Sequence, residues 1–141
     1  MPSIRFFYEA VRFRLSKSNR TRSWIKTVIL NEERKLGELN YIFCSDDHLA
    51  NINSEYLNHD TYTDIVTFDS SEVEGCIQGD IYISVDRVSE NALTYKAAFN
   101  RELHRVIIHG VLHLIGYADK SPSARKTMRN KEEAYLSLLD N

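Results

Sequence analysis

One stretch of the chain combines residue types and spacing that could do chemistry: HGVLHLIGYADKS, His109 to Ser121. His109 and His113 are four apart, and residues four apart on a helix share one face, about 6 Å apart along the axis. Two imidazoles so placed can converge on one ion. Zinc takes nitrogen and oxygen ligands at about 2.0–2.2 Å in a tetrahedral arrangement, so two ligands alone do not hold it. Gly116 lets the chain reverse, and Asp119, three residues on, can point back at the pair. The pattern H-x3-H-x2-G-x2-D offers two ligands from a helix, a glycine to turn and a carboxylate from the turn. Three protein ligands leave one position for water, which is the catalytic rather than the structural form of zinc site. From Val106 onward the helix is apolar nearly all round. Two buried imidazoles without partners would lose their hydration at a cost, which favours a metal over two idle core histidines. His48, His59 and His104 have no such company, and His48 and His59 read as surface residues.

In metalloproteases of the H-E-x-x-H type, a glutamate after the first histidine activates the attacking water. Here that position is Gly110. A zinc ion can itself lower the pKa of water to about 7, so hydrolysis does not require the glutamate. Its absence argues against peptide cleavage in the protease manner. Asp69, Asp80 and Glu132 are candidate proton acceptors, and the sequence does not choose among them.

The elements that must position these residues follow from periodicity. Ile4 to Tyr8 is a short β-prone run. Ser23 to Arg34 has helical spacing, with Trp24, Val28 and Leu30 facing inward. Leu36 to Cys44 reads as a strand. Ser45 then caps a helix that carries Leu49, Ile52 and Tyr56 on its apolar side and ends near Asn58. DIVTFD, Asp64 to Asp69, alternates as a strand, and GDIYIS, Gly79 to Ser84, as a second strand antiparallel to it. Ser84 caps a helix with Val85, Val88, Ala92 and Leu93 inward. The spacing predicts the central buried helix over Phe99 to Ile115, ended by Gly116. A last helix runs from Ser121 to Leu139, with Ser121 as cap, Pro122 in the first turn, and Leu136 and Leu139 inward. The expected fold is α+β: one domain over residues 1–141, a small mixed sheet of about four strands with about five helices.

With 141 residues, 27% of them charged, the composition is that of a soluble globular protein. No run is long or apolar enough to span a membrane, and MPSIRFFYEAVRFR is broken by Arg5, Glu9 and Arg12, so it is no secretory signal. The expected location is the cytoplasm. Cys44 and Cys76 are too few for a disulfide framework and read as reduced thiols. The net charge of −2 excludes a uniformly basic nucleic-acid binder. It hides a split, because residues 1–36 hold nine Arg and Lys against three Glu, a net of +6. A second basic cluster, Lys120, Arg125, Lys126, Arg129 and Lys131, directly follows the suspected site. Such asymmetry suits a polyanionic partner, although solvated surface charge is the blander reading.

The stretch HGVLHLIGYAD resembles the signature of the YbeY family of bacterial metal-dependent endoribonucleases, H-G-x-L-H-L-x-G-Y-D-H. LNHDTYTDIVTF is similar to the family's segment ending T-D-V-L-S-F, IQGDIYIS to its G-D-I-x-I-S strand, and RELHRVIIHG to its run into the first ligand. Met128 and Glu132 fit its last helix. The resemblance covers roughly Tyr41 to Leu136 and implies a small zincin-like α/β fold. It further implies one zinc ion per chain and cleavage of single-stranded RNA. Its setting would be ribosomal RNA 3′-end maturation and ribosome quality control, with the ribosome or its proteins as partners. His109 and His113 take the first two ligand positions, and Asp119 falls where the family has a third histidine. A carboxylate there lowers the charge of the metal complex by one and implies a less acidic bound water. Leu57 and His59 stand where the family usually has an arginine and, two residues on, a lysine. RNA would then be held by other cations, Arg125 and Lys126 among them. Two alternatives are a non-catalytic RNA-binding or ribosome-binding relative and a metzincin-like protease.

Overall fold

The computed structural model describes residues 2–57 and 62–140. The strand β2, Lys35–Cys44, organises the sheet. Leu39, Tyr41, Phe43 and Cys44 within it show no exposed surface, which is the burial expected of a strand covered on both faces. It pairs in parallel with β1 (Ser3–Glu9) on one side and with β4 (Cys76–Ser84) on the other. β3 (Ile65–Asp69) closes the far edge, antiparallel to β4, so the order is β1-β2-β4-β3. The hairpin expected from DIVTFD and GDIYIS is therefore present.

Five helices complete the described residues: α1 (Ser18–Asn31), α2 (Asp46–Leu57), α3 (Val85–Thr94), α4 (Phe99–Ile115) and α5 (Pro122–Leu139). Side chains alternate across a strand, and the alternation in β4 separates two apolar clusters. Ile81 and Ile83 pack with Ile107, Val111 and Leu112 of α4 in the main core. Tyr82 packs from the other face with Cys44, Val66 and Leu49 of α2. Each fully buried Ile or Leu contributes about 1.5–3 kcal/mol through its removal from water. The observed architecture is the expected mixed sheet with helices. No helix among the described residues is long and apolar enough to cross a membrane.

The caps fall where the sequence places them. The Ser45 hydroxyl accepts from His48 N, Ser84 from Arg87 N and Ser121 from Ala124 N. α4 runs over the expected residues. Three inward expectations fail: Leu30, Tyr56 and Leu93 are 71%, 68% and 79% exposed. Leu30 and Leu93 each follow the last buried residue of their stripe, Ile29 and Ala92, by one position, and one residue turns a helix by about 100°. Tyr56 lies at the last turn of α2, where its ring meets Phe68 edge-on at 6.2 Å and stays otherwise exposed. Cys44 is buried and Cys76 half-buried, and neither is in a disulfide. The expected end of α2 at Asn58 and the position of His59 lie outside the described residues.

Candidate metal centre

The central helix must lie close to the sheet for its other face to reach solvent, and Gly110 permits this. A Cβ built there would stand 3.0 Å from Ile65 Cδ1 and from both Ile81 Cδ1 and Ile81 Cγ2. The residue after the first histidine therefore points into the core, and a glutamate could not face a metal from it. The Tyr41 hydroxyl, fully buried, donates to the Ile107 carbonyl at 2.9 Å and fixes the helix on β2.

The turn after α4 supplies the third donor. Gly116 has φ +124°, a conformation that side chains disfavour. Its N–H reaches the carbonyls of Leu112 and His113, both at 3.1 Å, and the Tyr117 N–H reaches Leu112 O at 3.0 Å. The chain so reversed brings Asp119 Oδ2 to 3.4 Å from His109 Nε2 and 3.3 Å from His113 Nε2. The two imidazole rings lie 5.0 Å apart at 79°. One donor atom from each of the three residues lies within 4.8 Å of the others, so the cluster could hold a metal ion. Tetrahedral bonds of about 2.0–2.2 Å separate their donors by roughly 3.3–3.6 Å, and the two separations from Asp119 match that edge. All three side chains keep some solvent contact, which leaves an approach to the centre open.

Glu132 orients the first histidine. Its carboxylate, 2% exposed, accepts from His109 Nδ1 at 2.6 Å and from Arg105 at 3.1 Å. In the neutral ring this contact holds the His109 proton on Nδ1 and leaves the Nε2 lone pair facing Asp119 and His113. Burial alone would raise the Glu132 pKa; the His109 hydrogen bond and the Arg105 charge overcome it and hold the carboxyl below its ordinary value. Burial likewise opposes the Arg105 charge, but its bonds to Glu102 and Glu132 keep its pKa above the usual arginine value. His109 Nε2, His113 Nε2 and an Asp119 carboxylate oxygen thus face one point, an arrangement that suits a cation once both ring nitrogens are free of protons. Nearby, burial raises the Asp64 carboxyl above its ordinary pKa, with Arg105 and His109 pulling the other way.

The sequence offers Glu132 as a candidate proton acceptor and does not single out Arg105. The signal was an acid on the apolar stripe of α5, whose buried residues are Met128, Glu132, Tyr135 and Leu136. The other two acceptor candidates are committed elsewhere. Asp80 shares the sheet face of Tyr82, away from α4, and accepts from Asn40 Nδ2 at 3.0 Å. Asp69 accepts from the Ser71 N–H at 2.9 Å and its hydroxyl at 2.7 Å, tying the loop after β3. β4 supports the site from beneath through Ile81. Arg125 and Lys126 are exposed on the first turns of α5, next after the turn that carries Asp119. Leu57, 39% exposed, ends α2. His104 is buried away from the cluster, between Thr21 Oγ1 at 3.0 Å and Asn100 O at 2.8 Å. His48 pairs with Glu9 at 2.8 Å. A cavity of about 360 Å³ lies around Lys17, Arg20, Arg101 and His104, and the three donors take no part in its lining.

Fold and site together define an α+β domain with a His-His-Asp cluster at the end of its central helix. The family model described as Endoribonuclease YbeY matches residues 9–140. The chain is 49% identical over 136 residues to the Endoribonuclease YbeY of Cytophaga hutchinsonii, covering 96% of this chain and 95% of the relative. It is 50% identical over 136 residues to that of Flavobacterium psychrophilum, covering 96% of each. The solution structure of TM1509 from Thermotoga maritima superposes with a TM-score of 0.64 at 27% identity, covering 93% of this chain and 86% of that one. This chain belongs to the endoribonuclease YbeY family.

Proposed function

We propose that this chain is a zinc-dependent endoribonuclease of single-stranded RNA that acts in ribosomal RNA 3′-end maturation and ribosome quality control in the cytoplasm. The observation that carries the reading is the convergence of His109, His113 and Asp119 within 4.8 Å, in a chain of this family. His109 and His113 would offer Nε2, and Asp119 a carboxylate oxygen, to one zinc ion. A bound zinc ion would supply Lewis-acid stabilisation of the charge that builds on the scissile phosphate. Glu132 keeps the His109 proton on Nδ1, away from the donor cluster. Arg125 and Lys126 draw in the RNA through its phosphates, which makes binding salt-sensitive. A ribosome or ribosomal protein is the proposed partner.

Elemental analysis and RNA cleavage by the purified protein test this, beside His113→Ala and Asp119→Ala. Wild type should carry about one zinc and cut single-stranded RNA in preference to duplex; each variant, with two of the three ligands left, should lose cleavage and bind zinc only weakly. Wild type that takes up no metal would overturn the reading. Loss of metal only in His113→Ala would remove Asp119 from the ligand set. Leu57, an apolar residue where the family usually carries an arginine, supports a second reading as an RNA-binding relative without turnover. That reading predicts unchanged function in Asp119→Ala. The protease alternative has no support in the geometry, because Gly110 faces Ile65 and Ile81.

A further inference from the structure

Glu32 is a carboxylate that stability alone does not explain. It follows the last residue of α1, and its side chain is 8% exposed. The Tyr117 hydroxyl donates to its Oε1 at 2.6 Å, and Lys131 Nζ to its Oε2 at 3.0 Å. The Tyr135 hydroxyl also donates to Oε2, and Asn31 Nδ2 donates to the Tyr135 oxygen at 2.9 Å. Burial works against the charge, but the bonds from Tyr117, Tyr135 and Lys131 hold the carboxyl below its ordinary pKa. Packed apolar residues often stabilise a protein as well as a buried charged group does.

What the group does hold is the turn. Tyr117 stands two residues before Asp119, directly after the glycine that reverses the chain. The N–H groups of Gly116 and Tyr117 tie that turn to α4. Past them, the N–H groups of Ala118 and Asp119 find no backbone acceptor among the described residues. The Tyr117 side chain is thus the next anchor toward Asp119. Lys131 adds to it, with Nζ 5.5 Å from the centre of the Tyr117 ring.

We propose that Glu32 and Tyr117 are positioning residues for the metal centre: their hydrogen bond, backed by Lys131 and Tyr135, sets where Asp119 stands relative to His109 and His113. This rests on the reading of the cluster as a zinc site. The residue that follows α1, within the basic stretch of residues 1–36, thereby contributes to a centre whose donors all lie after residue 108.

The test is Zn²⁺ affinity, by competition with a chromophoric chelator, for the full chain carrying Tyr117→Phe or Glu32→Gln. Each is made in the wild-type and in the Asp119→Ala background, and the melting temperature of each metal-free protein is recorded. Tyr117→Phe keeps the ring and removes only the hydroxyl. Affinity should fall about tenfold in the wild-type background, as for other partners that orient metal ligands. In the Asp119→Ala background it should not change, because the residue acted on is gone. An unchanged affinity in the wild-type background, or an equal loss in both backgrounds, would overturn the inference and leave the zinc site standing. Wild type without Zn²⁺ uptake would overturn both. Should Glu32→Gln fail to fold, Tyr117→Phe decides.

Discussion

Replacing Glu132 by glutamine tests the centre most directly, because it changes one atom and inverts one hydrogen bond. The carboxylate now accepts from two donors, His109 Nδ1 and Arg105. An amide has one oxygen and one NH₂, so it can accept from only one of them. With its oxygen toward Arg105, the NH₂ faces Nδ1, and the imidazole answers by moving its proton to Nε2. That proton then occupies the lone pair aimed at Asp119 and His113. With the oxygen toward His109, two donors oppose each other at Arg105. Breaking a buried pair outright costs about 3–5 kcal/mol. Here Arg105 keeps both of its bonds to Glu102, so a loss of about 1–3 kcal/mol is expected. A chain of this size loses roughly 4 °C of melting temperature per kcal/mol. Zn²⁺ affinity should fall by about 10- to 100-fold. Acid unfolding should change too. A carboxyl with a lowered folded pKa stabilises above its unfolded value of about 4.3, and that contribution is lost as pH falls through the folded value. The variant should therefore show a shallower loss of stability on acidification. Chelator competition, ¹⁵N shifts of the His109 ring and urea unfolding against pH measure all of this. Wild-type affinity in the variant, with the His109 proton still on Nδ1, would refute the argument.

Three further outcomes are expected. Gly110→Ala should gain about 1 kcal/mol of helix propensity and lose about 1–3 kcal/mol to overpacking against Ile65 and Ile81, for a net destabilisation in urea; a net gain would show that the helix can lift from the sheet. His104 should titrate by NMR below its ordinary value of about 6.5, because burial disfavours its charge. Its contribution to stability is then present above about pH 6.5 and is lost as pH falls through the folded value, and a midpoint at or above 6.5 would contradict this. Arg125→Ala with Lys126→Ala should weaken RNA binding and reduce the slope of log affinity against log salt by about one per phosphate contact removed; an unchanged slope would place the RNA elsewhere.

Much of the fold is legible in local pattern. α4 has apolar residues nearly all round from Val106, a glycine at its end and no internal proline, so its limits follow from the sequence. The three serine caps were equally plain, because a hydroxyl before a helix has one common use. Leu30, Tyr56 and Leu93 are exposed against expectation because periodicity gives the direction of a stripe, and the packed neighbours decide its width. Asp69 and Asp80 looked like Glu132 as candidate acceptors. Only the sheet shows that Asp80 faces away from the helix and that Asp69 binds its own loop.

His109, His113, Gly116 and Asp119 lie within eleven residues, so helix pitch and a single turn are enough to suggest their convergence. The orientation of that centre is a matter of distant contacts. Glu132 is 23 residues from His109, and Glu32 is 85 residues from Tyr117. No short-range rule connects such pairs, because they meet only when α1 and α5 pack against α4. Gly110 shows the same division. By itself the sequence says that a glutamate is missing, and only the packed sheet, with Ile65 and Ile81 at 3.0 Å, says that there was no room for one.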